Sequence, residues 1–200
     1  MQASLLQPPT SASLPTGVDN IVDEKPRFAT PPLKNERRID EIESRMLVDD
    51  TEVLLLSSGA VRTLKRDWNI VCSKMYVFGL DSRYKAKILE DLTELHWQVD
   101  DLATVTDAEL FSNQDLSWLT PVCLNLKVVS PQAASLLRAI RRWDLCVARL
   151  LTAERNLLID YPKRLGILEA VERTYIGFKK TAMKLGTAST SEMLLKEKLI

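Results

Sequence analysis

The sequence predicts a mostly helical α+β protein, and two observations carry that prediction. From Val122 to Val129 the chain alternates. Val122, Leu124, Leu126 and Val128 fall on one side of an extended segment, and Cys123, Asn125, Lys127 and Val129 on the other. Elsewhere apolar residues recur every three or four positions, the period of a helix with one buried face.

The stretch up to about residue 33 is rich in Pro, Ser and Thr and has no period, so it reads as an N-terminal arm. A single domain is expected over residues 34–186, followed by a C-terminal tail, 187–200, that ends in a short loose helix at most. Leu33 to Leu47 is short, charged and weakly amphipathic: a small helix, or more of the arm. Val53 to Leu56 is a compact apolar run and predicts a short buried strand. Ser57 or Ser58 can cap a helix through Leu64. The apolar stretch that stops at Gly79 either continues that helix or forms a second short element.

Asp81 is an N-cap for an amphipathic helix with Ile88, Leu92, Leu95, Val99 and Leu102 inward and acids outward. Thr106 to Thr120 is a loop with one helical turn at most. After the alternating strand, Ser130 is a second N-cap. Pro131 then takes the first helical position, where its missing N–H costs nothing. The helix expected from Pro131 to Ile159 has a wide stripe through Leu136, Ile140, Trp143, Val147 and Leu150. Asp160 and Pro162 start another helix that ends at Gly186. Residues 121–186 therefore read strand, helix, helix.

Formal net charge is zero, but it is segregated. Lys87–Trp118 holds one base against eight acids, and Pro121–Gly186 holds twelve bases against five acids. This pattern is either ordinary solvated helix faces or a basic half built for an anionic partner. Cys72, Cys123 and Cys146 form no even framework and read as reduced and mostly buried. No run approaches the length of a membrane span, and no signal peptide is recognisable, so a cytoplasmic protein without a membrane partner is expected.

Catalysis finds no support. The single histidine, His96, lies in the acidic helix without a paired nucleophile. There is no phosphate-binding glycine loop, no metal-ligand spacing and no sign of a cofactor or small-molecule substrate. An enzyme is not expected.

Double-stranded DNA is the better-supported partner. A two-stranded antiparallel ribbon fits the major groove. One strand cannot form it, but the same strand from two copies can, which makes a homodimer and covers an exposed edge. Cys123, Asn125 and Lys127 would then face base edges. Ser130, Arg138, Arg141, Arg142, Lys163 and Arg164 are candidate phosphate contacts. The alternative is a helical protein-interaction module, an accessory part of a conjugation machinery, that does not bind DNA directly.

Two stretches, "EVLLLSSGAVRTL" and "PVCLNLKVVSPQAASLLRAIRRWDLCVARLLTAERNLLID", resemble the AcaB-like family of conjugative plasmids and integrating conjugative elements. The resemblance spans roughly residues 50–182. It implies a transcriptional activator of conjugative-transfer genes with an atypical dimeric ribbon-helix-helix fold. The helix after Pro131 is far longer than that pattern expects. Either it breaks near Asp144, or the strand belongs to a different sheet.

Overall fold

The structure, a computed structural model, describes residues 33–43, 49–186 and 189–197. The N-terminal arm up to residue 32 and parts of the C-terminal tail lie outside the described residues. The element order is α1 (Glu36–Glu43), β1 (Asp49–Leu55), α2 (Ser58–Phe78), α3 (Ser82–Thr106), α4 (Glu109–Ser112), β2 (Val122–Val128), α5 (Pro131–Arg155), α6 (Tyr161–Lys184) and α7 (Thr190–Glu197). It is a mostly helical α+β fold with one two-stranded antiparallel sheet among the described residues. No described helix is long and apolar enough to cross a membrane.

The helix starts are where short-range chemistry puts them. Ser57, Asp81, Ser130 and Asp160 each accept a backbone N–H from the first turn that follows, from Ala60, Arg83, Ala133 and Lys163. The Gly79 stop holds, but α2 runs unbroken from Ser58 to Phe78, so the stretches before and after Leu64 are one helix. At the far end of α6, the Lys74 ammonium donates to the carbonyls of Met183 and Gly186, two groups a helix end leaves without partners. A Cβ on Gly186 would lie 2.3 Å from the Phe78 ring, so a larger residue there would have to displace that ring.

The strand differs from expectation in its partner. β2 pairs with β1 of the same chain, with Val53 opposite Leu124 and Glu52 opposite Asn125. The ribbon is therefore built within one chain, and one edge of β2 is covered without a second copy. One face of the ribbon is core: Val53, Leu55, Leu124 and Leu126 are all fully buried. Burial of each such side chain contributes roughly 1.5–3 kcal/mol. Beneath that face lies α2, whose Trp68 indole N–H donates to the Lys127 carbonyl.

The long helix α5 does not break at Asp144. It runs to Arg155, and the chain leaves it through Leu157 in the left-handed region at φ 59°. Asp144 is buried, and its carboxylate accepts the backbone N–H groups of Leu56 and Ser57, both at 2.8 Å. A carboxylate from the middle of α5 thus anchors the β1–α2 corner, at the positive end of the α2 dipole. Of the two alternatives for the long helix, the strand's membership of an intrachain sheet is the one the fold adopts. α3 closes the other side of α5 and α6, with His96 Nε2 2.9 Å from Ser135 Oγ.

Candidate nucleic-acid interface and a basic groove

The outer face of the ribbon carries the three expected base readers. Asn125 is exposed, and Cys123 and Lys127 are half-buried. The register sets Leu54 opposite Cys123, Glu52 opposite Asn125 and Asp50 opposite Lys127. Lys127 also pairs with Asp40 of α1 at 3.3 Å. The readers therefore share their face with carboxylates, which repel a phosphate backbone.

The expected phosphate contacts are dispersed. Ser130 is engaged as the α5 cap. Arg138 and Arg141 are exposed on α5, while Arg142 pairs with Asp100 of α3. Lys163 is exposed at the start of α6, but the Asp160 carboxylate already accepts the Lys163 backbone N–H at 2.8 Å. That carboxylate occupies the place an anion would take. Arg164 pairs with Glu154 and lies over the Tyr161 ring. The local sequence supplies these cations, but the packing directs two of them, Arg142 and Arg164, to carboxylates of the chain itself.

Other cations do converge. α2 and α6 flank a groove of about 750 Å³. Six basic residues line it, Arg62 and Arg66 of α2 with Arg164, Lys179, Lys180 and Lys184 of α6, against the single carboxylate of Glu172. Arg62 and Arg66 also line a second hollow beside Lys34, Lys65 and the start of β2, so the basic surface continues toward one end of the ribbon.

Beneath the groove sits Asp67, whose side chain is 4% exposed. It accepts from Arg66, from Lys179 at 2.7 Å and from the Tyr175 hydroxyl at 3.3 Å. Burial raises its pKa, but the hydrogen bonds from Arg66 and Lys179 outweigh that and hold the carboxyl below the usual aspartate range. Burial pushes the Tyr175 hydroxyl up, with the Asp67 charge adding to it, so it stays protonated and donates. Arg66 and Lys179 are thus fixed by Asp67, and Arg164 by Glu154. Arg62, Lys180 and Lys184 pair with no carboxylate among the described residues.

The floor of the groove is apolar and aromatic, formed by Trp143, Val147, Leu168 and Tyr175. Trp143 and Tyr175 are stacked, with ring centroids 6.3 Å apart at 19°. Lys180 and Lys184 belong to the basic half of the sequence, but nothing in that half joins them to α2. The i, i+4 pairs Arg62–Arg66 and Lys180–Lys184 each place two cations on one helix face, which was the available signal. Among the described residues no group of His, Cys, Asp and Glu could hold a metal ion.

No protein-family model matches the chain, and no curated protein sequence matches it. Among solved structures it is similar to selenomethionine-containing AcaB from uropathogenic E. coli. The TM-score is 0.53 at 18% identity, over 69% of this chain and 75% of that one. The chain has an AcaB-like fold.

Proposed function

We propose that the protein is a sequence-specific double-stranded DNA-binding regulator, an activator of conjugative-transfer genes on a mobile element, acting as a homodimer. The observation that carries the DNA reading is the continuous basic surface formed by Lys34, Arg62, Lys65, Lys180 and Lys184. The shared AcaB-like fold supports the regulatory class, through the activator role that the sequence resemblance implies. Phosphates are held by this surface rather than by the ribbon, whose outer face carries Asp50 and Glu52. Asn125 and Lys127 keep the base-reading role, which the ribbon serves when phosphates are held beside it. In the dimer, the edge of β2 left unpaired by β1 adds to its counterpart in a second copy.

The test is a fluorescence-anisotropy titration of the full chain onto duplex DNA from its own upstream region, beside a scrambled duplex, over a range of salt. Two variants run in parallel. Lys180→Ala/Lys184→Ala is expected to weaken both duplexes alike and to lower the salt slope by about 2, one for each phosphate no longer neutralised. Asn125→Ala/Lys127→Ala is expected to abolish the preference for the native duplex. Wild-type protein that binds neither duplex at any salt overturns the regulator and leaves the helical interaction module as the reading.

A further inference from the structure

Where α5 hands over to α6, one residue is out of place in two ways. The Leu158 N–H donates to the Ala153 carbonyl at 2.9 Å, and the Leu157 N–H to the Glu154 carbonyl at 3.0 Å. This pair of bonds closes a helix by turning one residue into the left-handed region, a place that glycine or asparagine ordinarily fills. Here the residue is Leu157, at φ 59°, where its Cβ strains the backbone. Its side chain is also 90% exposed, so no burial offsets that strain. Strain of this kind collects at functional sites. Leu158, Tyr161 and Leu165 follow Leu157 into the first turns of α6, and all are exposed. Exposed Trp118 is held against the end of α5, with its indole N–H on Thr152 Oγ1 at 3.0 Å and the Arg155 guanidinium 4.5 Å over its ring. None of these five side chains lines the basic groove or the hollow beside it. Exposed apolar side chains gathered in this way mark interaction surfaces.

The charges around the cluster identify its partner. Asp115 and Asp160 are exposed acids there, and Arg155 and Lys163 are exposed bases. Asp160 accepts the Lys163 backbone N–H, while the Lys163 ammonium pairs with no described acid. A rim with two charges of each sign complements a copy of itself turned about a two-fold axis, Lys163 of one chain meeting the partner's Asp160. The formal net charge of zero adds no long-range repulsion between copies. We propose that the α5–α6 tip is a self-association surface that takes the same tip of a second copy. Leu157 and Leu158 pack on their counterparts at the centre, with Tyr161, Leu165 and Trp118 around them and the charges outside, the layout of an apolar core within a polar rim. The left-handed turn holds the Leu157 side chain outward for that contact. The tip is separate from the β2 edge, and the inference does not rest on DNA binding. A chain that pairs through both faces assembles beyond a dimer.

The test is sedimentation velocity of the full chain over a concentration series, without nucleic acid. Leu157→Asn removes the apolar side chain and keeps a residue that tolerates the left-handed region. It is expected to weaken self-association at least tenfold, halving the assembly mass where the wild type is fully associated. That factor of two is read as tetramer to dimer if the β2 edge also pairs, and as dimer to single chain if it does not. Lys163→Glu sets a like charge against the partner's Asp160 and is expected to weaken association at least threefold. At high dilution both variants are expected to melt no lower than the wild type. Association that survives either variant unchanged, or a wild type that stays a single chain at every concentration, overturns the contact. A dilute Leu157→Asn chain that melts below the dilute wild type assigns Leu157 to the fold and overturns it as well.

Discussion

Two of the regions where opposite charges meet in this molecule have different outcomes. Along the seam between α3 and α5, Arg142 faces Asp100 and Arg149 faces Asp107. Each cation has its own carboxylate, and three of the four groups are about half exposed, so the seam is neutral and water-screened. Between α2 and α6 the carboxylate is buried and the cations outnumber it. Asp67 fixes Arg66 and Lys179, and Arg62, Lys180 and Lys184 are left over. The acidic and basic halves of the sequence therefore neutralise each other in part. Part of the acidic helix neutralises α5, and the surplus of positive charge appears where α6 meets α2.

The comparison predicts unequal costs for removing one partner. Asp67→Ala leaves Lys179 and Arg66 without their acceptor under the groove. It is expected to destabilise the protein by about 3 kcal/mol in chemical denaturation, at the lower end for a broken buried pair because Arg66 is half exposed. A loss below about 1 kcal/mol would place both regions in the screened class. Asp144→Ala strands two backbone N–H groups at the β1–α2 corner. About 2 kcal/mol is expected, with faster amide exchange at Leu56 and Ser57 as the local signature.

Acid sharpens the difference further. The folded pKa of Asp67 is depressed, so its stabilisation is complete above the unfolded value of about 3.9 and is lost as pH falls through the folded value. Melting temperature is therefore expected to drop more steeply below about pH 4 in the wild type than in Asp67→Asn. Parallel curves would show that Asp67 is not the group whose protonation matters. The seam gives a smaller effect: Arg142→Ala is expected to cost under about 1 kcal/mol, and less at high salt. Lys180→Ala/Lys184→Ala is expected to leave stability unchanged, since neither residue pairs with a described acid. A clear loss there would mean the groove's cations serve the fold rather than a ligand.

Short-range chemistry determined the helix starts, because a cap needs only a side-chain oxygen and the N–H two or three residues on. Ser130 with Pro131, and Asp81, could be read directly for that reason. The alternation from Val122 to Val128 likewise determined which side of the strand enters the core, with Leu124 and Leu126 buried and Asn125 exposed. Only the tertiary structure decided what that strand pairs with. β1 lies about seventy residues earlier, and an apolar run there announces burial but not a partner. The same holds for the groove. Lys179 reaches Asp67 across 112 residues of chain, and nothing local distinguishes it from a solvated lysine. Nothing local to Asp144 shows what its carboxylate holds. Its function became visible only when the N–H groups of Leu56 and Ser57 were brought to it. Local sequence sets where elements begin and which face is apolar; packing sets which charges cancel and which are left for a partner.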